Sequence, residues 1–485
     1  MDYQFLLTGR THTVPVSRQR RLYNNLRAAI VTARFVAHHR LPSSRELAQQ
    51  LGIARNTIIH AYEQLSMEGY LSADRRGTFV AKVAVPIVNK PTPGIPVALS
   101  RRIRALPRRP APGDGLLPFT PGVPALDEFP LQEWHRTLRR ACVSLKSSDL
   151  GYGDARGNIL LRTAISDRLR AARGVRCTPD QVLITNGTQS TLDLLARTLA
   201  DIGDTAWLES PGYRGARNAF AAAGLAVRSV SVDQEGMNFD NLRELRKPRL
   251  IYVTPSHQYP LGSVLSLRRR MDLINFAWRC GAQILEDDYD SDFRFGGEPL
   301  PSLQGLVEDA PVFYLGTFSK TMFPGMRLGY LVVSPAAVDS IASIYSALDS
   351  HGRQMEQVAL AHFMMDGRYT RHLNRMRRLY RERHRVLREA LSQQLPDFSV
   401  EGGETGLHLV LRLPNHADDV EIVRRAARHG LNPHALSLYT NEAMPRLSGL
   451  VLGYGNLAVA QVCRHVRVLA SLCNLKSSRR SPIRP

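Results

Sequence analysis

Seven short apolar runs recur between residues 181 and 333, at 181–185, 205–209, 226–230, 250–254, 282–286, 312–315 and 327–333. Helix-length segments such as 188–200 and 267–279 lie between them. Strands that are apolar on both faces and separated by helices have one economical solution, a mostly parallel sheet wrapped by helices. The spacing therefore predicts an α/β fold for this part of the chain. Such a sheet binds its ligands beyond the carboxyl ends of its strands.

The run 312–315 ends in Gly316-Thr317-Phe318-Ser319 and presents Lys320, with Arg327 seven residues further on. Of 64 basic residues only six are lysines (82, 90, 146, 247, 320 and 476), so this chain writes arginine wherever a plain positive charge suffices. A charge placed just past a buried strand is costly unless it has a task. Lysine, unlike arginine, can lose its proton and condense with an aldehyde. A lysine snorkelling at a strand end is the alternative reading of this stretch alone.

Other strand ends carry matching chemistry. Asn186-Gly187-Thr188-Gln189 offers a glycine, a hydroxyl and free N–H groups at a helix start, which is a phosphate cradle. Glu286-Asp287-Asp288-Tyr289-Asp290 crowds four carboxylates around a tyrosine. One of them could keep a pyridine nitrogen protonated; an acidic loop or a metal site is the alternative, and no histidine stands near this segment in the sequence. We expect no metal. Tyr213, in Pro211-Gly212-Tyr213, could stack on a planar ring, and Arg327 could hold a phosphate.

The first part of the chain reads differently. Residues 1–115 hold 18 Lys+Arg against 6 Asp+Glu, a surplus of 12 within a net charge of +21. That asymmetry points to a polyanion, most often nucleic acid. Apolar residues at helical spacing predict a helix over 22–36. Leu41-Pro42-Ser43-Ser44-Arg45-Glu46-Leu47 opens a second helix that Gly52 stops, and Arg55-Asn56-Thr57 opens a third that runs to Gly69. Residues 70–80 read as a hairpin whose tip, Arg75-Arg76-Gly77, is basic. Two short helices with a glycine turn followed by a wing make a winged helix-turn-helix.

These motifs resemble the GntR-type DNA-binding module over residues 17–80. The resemblance implies that Arg45, Arg55, Asn56 and Thr57 meet phosphates or base edges of double-stranded DNA. It also implies that Arg75, Arg76 and Gly77 bring the wing to the minor groove. Ile59 stands where some relatives carry another arginine. Residues 81–115 form a Pro- and Arg-rich tether with Arg101, Arg102, Arg104, Arg108 and Arg109. It would span roughly 30 Å as a flexible coil and about 100 Å if wholly polyproline-like. Residues 476–485 form a basic tail.

Residues 116–475 resemble the fold-type I aminotransferases, which bind pyridoxal 5'-phosphate. By that resemblance Lys320 would carry the cofactor covalently, Asp287 would pair with its ring nitrogen and Tyr289 with its hydroxyl, and Tyr213 would stack on the ring. Gly187, Thr188, Gln189, Ser319 and Arg327 would hold the phosphate, with His257 beside the cofactor. Tyr152 would be lent to the partner subunit's phosphate, which implies a homodimer. Two departures stand out. Ser256-His257-Gln258-Tyr259-Pro260-Leu261-Gly262 replaces the enzymes' Asn-Pro-x-Gly, and Val451 occupies the position of the arginine that grips a substrate carboxylate. Arg214, Arg217 or Arg446 could substitute.

A winged helix joined by such a tether to such a domain resembles the MocR/PdxR subfamily of bacterial regulators. That resemblance implies a regulator reading a two-half-site operator as a homodimer and sensing the cofactor, an amino compound that displaces Lys320, or both. The alternative is a working aminotransferase with an accessory DNA-binding domain. No apolar run reaches 18 residues, no leader precedes the first helix, and the five cysteines form no CxxC. The expectation is a cytoplasmic protein with no membrane segment and no zinc site.

Overall fold

The computed structural model describes residues 3–7, 17–82, 98–104, 106, 116–239, 246–296, 300–349, 352–403, 405–441 and 444–473. Most of the tether, including Arg108 and Arg109, and the tail 476–485 lie outside the described residues. The chain divides into two compact units, Met1–Ala98 and Leu99–Pro485, each with its own core.

The first unit carries helices α1 (Arg18–Val31), α2 (Ser44–Leu51) and α3 (Arg55–Met67) and strands β1 (Arg40–Leu41), β2 (Leu71–Asp74) and β3 (Gly77–Val80). Leu22, Leu26, Leu47, Ile58 and Leu65 meet in its core. The first helix does not run to 36. It stops at Val31, where Ala33 turns left-handed at φ 56°. Phe35 then folds back into the core and stacks on His39 at 5.1 Å. This break frees β1 to join the wing as a third strand, in the order β1-β3-β2, which periodicity alone does not reveal. α2 has a full capping box: Ser43 Oγ accepts from Glu46 N, and the Glu46 carboxylate accepts from Ser43 N at 2.8 Å. Gly52, at φ 62°, ends it.

The second unit is built on an eight-stranded sheet. Its strands are β4 (Val182–Thr185), β5 (Thr205–Ser210), β6 (Ala226–Asp233), β7 (Gly236–Met237), β8 (Leu250–Val253), β9 (Gln283–Asp288), β10 (Val312–Thr317) and β11 (Gly329–Val332). Their order is β4-β11-β10-β9-β8-β5-β6-β7, with parallel pairs throughout the centre and β11 and β7 reversed. All seven expected runs are strands, but the last begins two residues late. Arg327 sits at φ 50°, closing the turn Pro324–Met326, and so stands outside β11.

A second sheet follows the 27-residue helix Arg368–Gln394. It comprises β12 (Val400–Glu401), β13 (His408–Arg412), β14 (His434–Ala435) and β15 (Gly449–Gly453), antiparallel in the order β12-β13-β15-β14. Alternation splits its faces. Leu409, Leu411, Leu450 and Leu452 join the main core, whereas Val410 and Val451 join a separate cluster with Leu436 and Tyr439. Among the described residues no helix is long and apolar enough to cross a membrane.

Candidate cofactor site and nucleic-acid interface

β9 and β10 end side by side, with Leu315 beside Asp287 and Gly316 beside Asp288, so the lysine turn and the acidic turn share one edge of the sheet. Lys320 is partly buried, and its Nζ donates to Gly122 O at 2.8 Å. Desolvation lowers its basicity, with Asp290 and Asp287 opposing that effect. An amine so placed is nearer to losing its proton than a surface lysine.

The four carboxylates of the acidic turn have separate partners. Glu286 and Asp288 point to one face of β9. There Glu286 accepts from Leu303 N and Gln304 N at 2.9 and 3.1 Å, and Asp288 pairs with Arg173 at 2.7 Å. Asp290 meets His257 Nδ1 at 2.9 Å. Asp287 points to the opposite face. Its Oδ2 accepts from Tyr252 OH at 2.7 Å, but its Oδ1 is buried and has no partner. Burial pushes this carboxyl up to about 7. A buried acceptor left unpaired is costly, and a ring N–H would satisfy it.

A second orphan lies at the neighbouring strand end. Gly187, at φ 95°, starts the helix Thr188–Leu199, and Thr188 Oγ1 is buried without a partner. The Arg327 guanidinium comes within 3.9 Å of where a β-carbon on Gly187 would stand. A helix N-terminus, a free hydroxyl and a guanidinium thus converge as a phosphate would require. These two orphans and Lys320 are a fit for pyridoxal phosphate on this structure's own terms. Gln189 is committed elsewhere, its Nε2 donating to Gly215 O at 3.1 Å. Ser319 uses its N–H to reach Thr317 Oγ1 at 3.2 Å.

Tyr213 stands 6.4 Å from Tyr252, the residue that holds Asp287, and 6.0 Å from Tyr259. Tyr289 OH lies 3.0 Å from His257 Nδ1. Tyr152 is 89% exposed and, among the described residues, makes no hydrogen bond to this site. Contrary to the sequence reading, the acidic turn does have histidines near it. His257, Asp290 and His408 form a buried group with metal-ligand spacing, brought together from three distant segments. Hydrogen bonds already occupy His257 Nδ1 and His408 Nε2, the latter at 2.9 Å from Pro260 O.

The effector candidates separate. Arg446 lies 3.7 Å from Asp419 and 3.9 Å from Asp418, and is 54% exposed. Arg214 and Arg217 follow Tyr213 in the helix Arg214–Ala223, with no acidic partner recorded for either among the described residues. Sequence reasoning missed Gly122, Tyr252, Tyr439 and Glu209. Glu209 is buried at the end of β5, accepts from Thr254 Oγ1 at 2.6 Å and is pushed up to about 7 by burial. Nothing local marks these residues, because each matters through a neighbour far away in sequence.

The raised Asp287 gives a pH prediction for cofactor-free protein. An acid at about 7 when folded and at its ordinary 3.8 when unfolded binds more protons in the native state between those values. Stability is therefore lost as pH rises through that window. Asp287→Asn should raise the melting midpoint of cofactor-free protein above pH 7 and lose that advantage below the ordinary 3.8. With the cofactor bound, the order should reverse. Melting curves of both forms at the two pH extremes check this.

On the first unit, Arg45, Arg55 and Asn56 are exposed at the starts of α2 and α3, with Thr57 half-buried. Arg55 Nε donates to Ser44 Oγ at 3.2 Å, tying the two helix starts together. In the wing, Arg76 is paired with Asp74 at 2.7 Å, which leaves Arg75 as the freer charge at the tip. Gly77 packs closely on Arg40, whose Nε lies 3.0 Å from where a β-carbon would stand.

Two family descriptions match this chain: bacterial regulatory proteins of the gntR family over residues 18–80, and aminotransferase class I and II over residues 115–438. The chain is 39% identical to the probable rhizopine catabolism regulatory protein MocR of Rhizobium meliloti, over 93% of this chain and 92% of that one. It is 33% identical to the pyridoxine biosynthesis transcriptional regulator PdxR of Corynebacterium glutamicum, over 91% and 93%. Among solved structures it is similar to LysN, the α-aminoadipate aminotransferase of Thermus thermophilus, solved with N-(5'-phosphopyridoxyl)-L-leucine. That match has a TM-score of 0.68 and 29% identity over 77% of this chain and 94% of that one.

Proposed function

The chain belongs to the MocR subfamily of GntR-type transcriptional regulators, and from that premise we propose that its aminotransferase-like unit reads a small amine and passes the result to the winged helix. It is a DNA-binding regulator that uses pyridoxal phosphate. The observation that carries the sensing role is Asp287: a buried carboxylate with one oxygen unpaired, in the same chain as the exposed Arg45 and Arg55 at the starts of α2 and α3.

In this reading Lys320 holds the cofactor, Asp287 faces its ring nitrogen, Tyr213 covers the ring, and Thr188 with Arg327 and the helix start at Gly187 hold the phosphate. The cofactor supplies an aldehyde for amines and an electron-withdrawing ring. The chain's residues do the rest. Tyr252 orients Asp287, Asp290 fixes the His257 ring, and Tyr289 OH meets the same Nδ1. The protein acts as a homodimer in the cytoplasm. Tyr152 and the apolar side chains Leu131 and Val143 are exposed on one chain, and Met355 meets Cys142 beside them at 3.6 Å between sulfurs. All five cysteines are free thiols. Two winged helices in a dimer would meet two half-sites on one face of the duplex. Ligand binding can change transcription only if it favours one arrangement of the dimer over the other; a full reversal of populations needs about 5.5 kcal/mol of preference.

A second reading, an active aminotransferase, is favoured by the presence of both Lys320 and Asp287 at neighbouring strand ends and by the likeness to LysN. Single-turnover mixing with natural amino acids separates the two. A sensor should consume the visible absorbance far more slowly than the enzyme range of roughly 1–10³ s⁻¹. Rates within that range would make the protein an enzyme first.

A further inference from the structure

Behind the acidic turn, buried residues from three separate segments meet. Arg173 ends the helix Ile159–Arg173, Asp288 is the last residue of β9, and Ser256 immediately precedes His257. None of the three is more than 9% exposed. Each nitrogen of the Arg173 guanidinium donates to a different partner: Nε to Asp288 Oδ2 at 2.7 Å, Nη2 to Ser256 Oγ at 2.6 Å, and Nη1 to Leu300 O. Tyr314 OH donates to the same Asp288 oxygen. A rigid planar fork holds several fixed directions at once, which a flexible ammonium group does not. A buried ion pair is tolerated only where its remaining hydrogen bonds are met, as they are here.

This grip falls on the neighbours of the cofactor-site residues. Asp288 pairs with Gly316 as the last rung between β9 and β10. Glu286, two residues before it, is held by Leu303 N and Gln304 N. With Glu286 and Asp288 both anchored on one face, alternation directs Asp287 to the other, toward Tyr252. Ser256 carries the same constraint to His257, whose Nδ1 meets Asp290. The charges reinforce the geometry. Burial raises the Asp287 carboxyl, the Tyr252 hydrogen bond opposes this, and a charged Asp288 adds to it. Burial would raise Asp288 too, but Arg173, foremost among its partners, holds it below its ordinary value.

Arg270 supplies the contrast. It is equally buried, yet it donates only to main-chain oxygens: Leu265 O at 2.8 Å, Pro255 O at 2.9 Å, and Pro301 O. It braces the same two loops, but none of its hydrogen bonds reaches the acidic turn.

We propose that Arg173 is a positioning residue: through Asp288 it aims the Asp287 carboxylate at the ring nitrogen of bound pyridoxal phosphate. This rests on Asp287 being the partner of that nitrogen.

The test titrates full-length, cofactor-free protein with pyridoxal 5'-phosphate and with the analogue in which carbon replaces the ring nitrogen. The readout is the ratio of the two dissociation constants. The analogue keeps the aldehyde and the phosphate, so Lys320, Thr188 and Arg327 serve both ligands alike and the ratio isolates the Asp287 contact. Wild-type protein should favour the cofactor by about tenfold or more, the size of one charge-assisted contact. Arg173→Gln and Asp288→Asn should each bring that ratio toward one by about threefold or more. The double variant should go no further than the larger single effect, as residues acting through one contact do. Arg270→Gln should lower the melting midpoint and leave the ratio unchanged. If Arg173→Gln does not fold, Asp288→Asn decides alone. A wild-type ratio kept by Arg173→Gln or Asp288→Asn would overturn the proposal, because a brace that only supports the fold weakens both ligands alike. An equal fall of the ratio in Arg270→Gln would overturn it as well. A ratio near one in the wild type would overturn it by removing Asp287 from the ring nitrogen. Visible absorbance and duplex binding of the same sample tell that failure from failure of the cofactor and regulator reading, because neither depends on Arg173.

Discussion

Lys320→Ala protein is expected to lose the visible absorbance of bound pyridoxal phosphate on dialysis, while wild-type protein keeps it. The side chain that would hold the cofactor follows the buried strand β10, and its surroundings lower its basicity. Lys320→Arg should fail as completely, since it restores the charge but not a nitrogen able to condense with an aldehyde. That contrast separates covalent attachment from simple charge pairing with Asp287 and Asp290. Borohydride reduction of the wild type followed by peptide mapping should label Lys320 alone. A label at another lysine would contradict the assignment.

Loss of sequence-specific DNA binding is the second large effect expected. Arg55→Ala should weaken binding to a selected duplex by about 1–3 kcal/mol if its guanidinium reads a base. Arg45 and Arg55 flank the same Ser44 contact, so the double variant need not equal the sum of the two. It should still reduce specific binding to the level of random duplex. Arg76→Ala should cost less than Arg75→Ala, because Arg76 already spends its charge on Asp74. Cofactor absorbance should be unchanged in all four variants, which shows that the other unit remains intact. An unaltered affinity after removal of both Arg45 and Arg55 would rule out this interface.

The parts of the molecule legible in the sequence were those set by local pattern. The seven strands from 181 to 333 announce themselves because a strand buried on both faces must be apolar throughout. Ser43, Glu46 and Gly52 bound α2 through capping chemistry that acts within three or four residues. The chemistry at strand ends was readable for the same reason: Lys320, Asp287 and Gly187 each stand at a fixed offset from an apolar run. Contacts between distant segments were not legible. The first helix ends at Val31 because Phe35 is drawn into the core, and β1 exists only by pairing with β3. The acidic turn looked like one cluster of four carboxylates, yet β-alternation sends Asp287 alone toward Tyr252 and Asp288 toward Arg173. His257 and His408 reach that turn across 33 and, through His257, 151 residues of sequence, so no local reading could supply them. Arg327 looked like the first residue of a strand and instead turns left-handed toward Gly187. The Gln189 side chain also reaches the next helix, its Nε2 donating to Gly215 O, a contact no local pattern announces.

The measurement that tests the regulatory role most directly is duplex affinity as a function of ligand occupancy. A duplex selected from a random pool by the cofactor-loaded protein would be titrated with loaded protein, with cofactor-free protein, and with loaded protein saturated by an active amine. If the Lys320 site and the winged helix are coupled, at least one change of occupancy should shift the affinity by about 5- to 150-fold, the usual range of a coupling free energy of 1–3 kcal/mol. Lys320→Ala should abolish that shift while still binding the duplex. Affinities that agree across all three occupancy states would show that the two sites are uncoupled, and would contradict a sensor that acts on transcription.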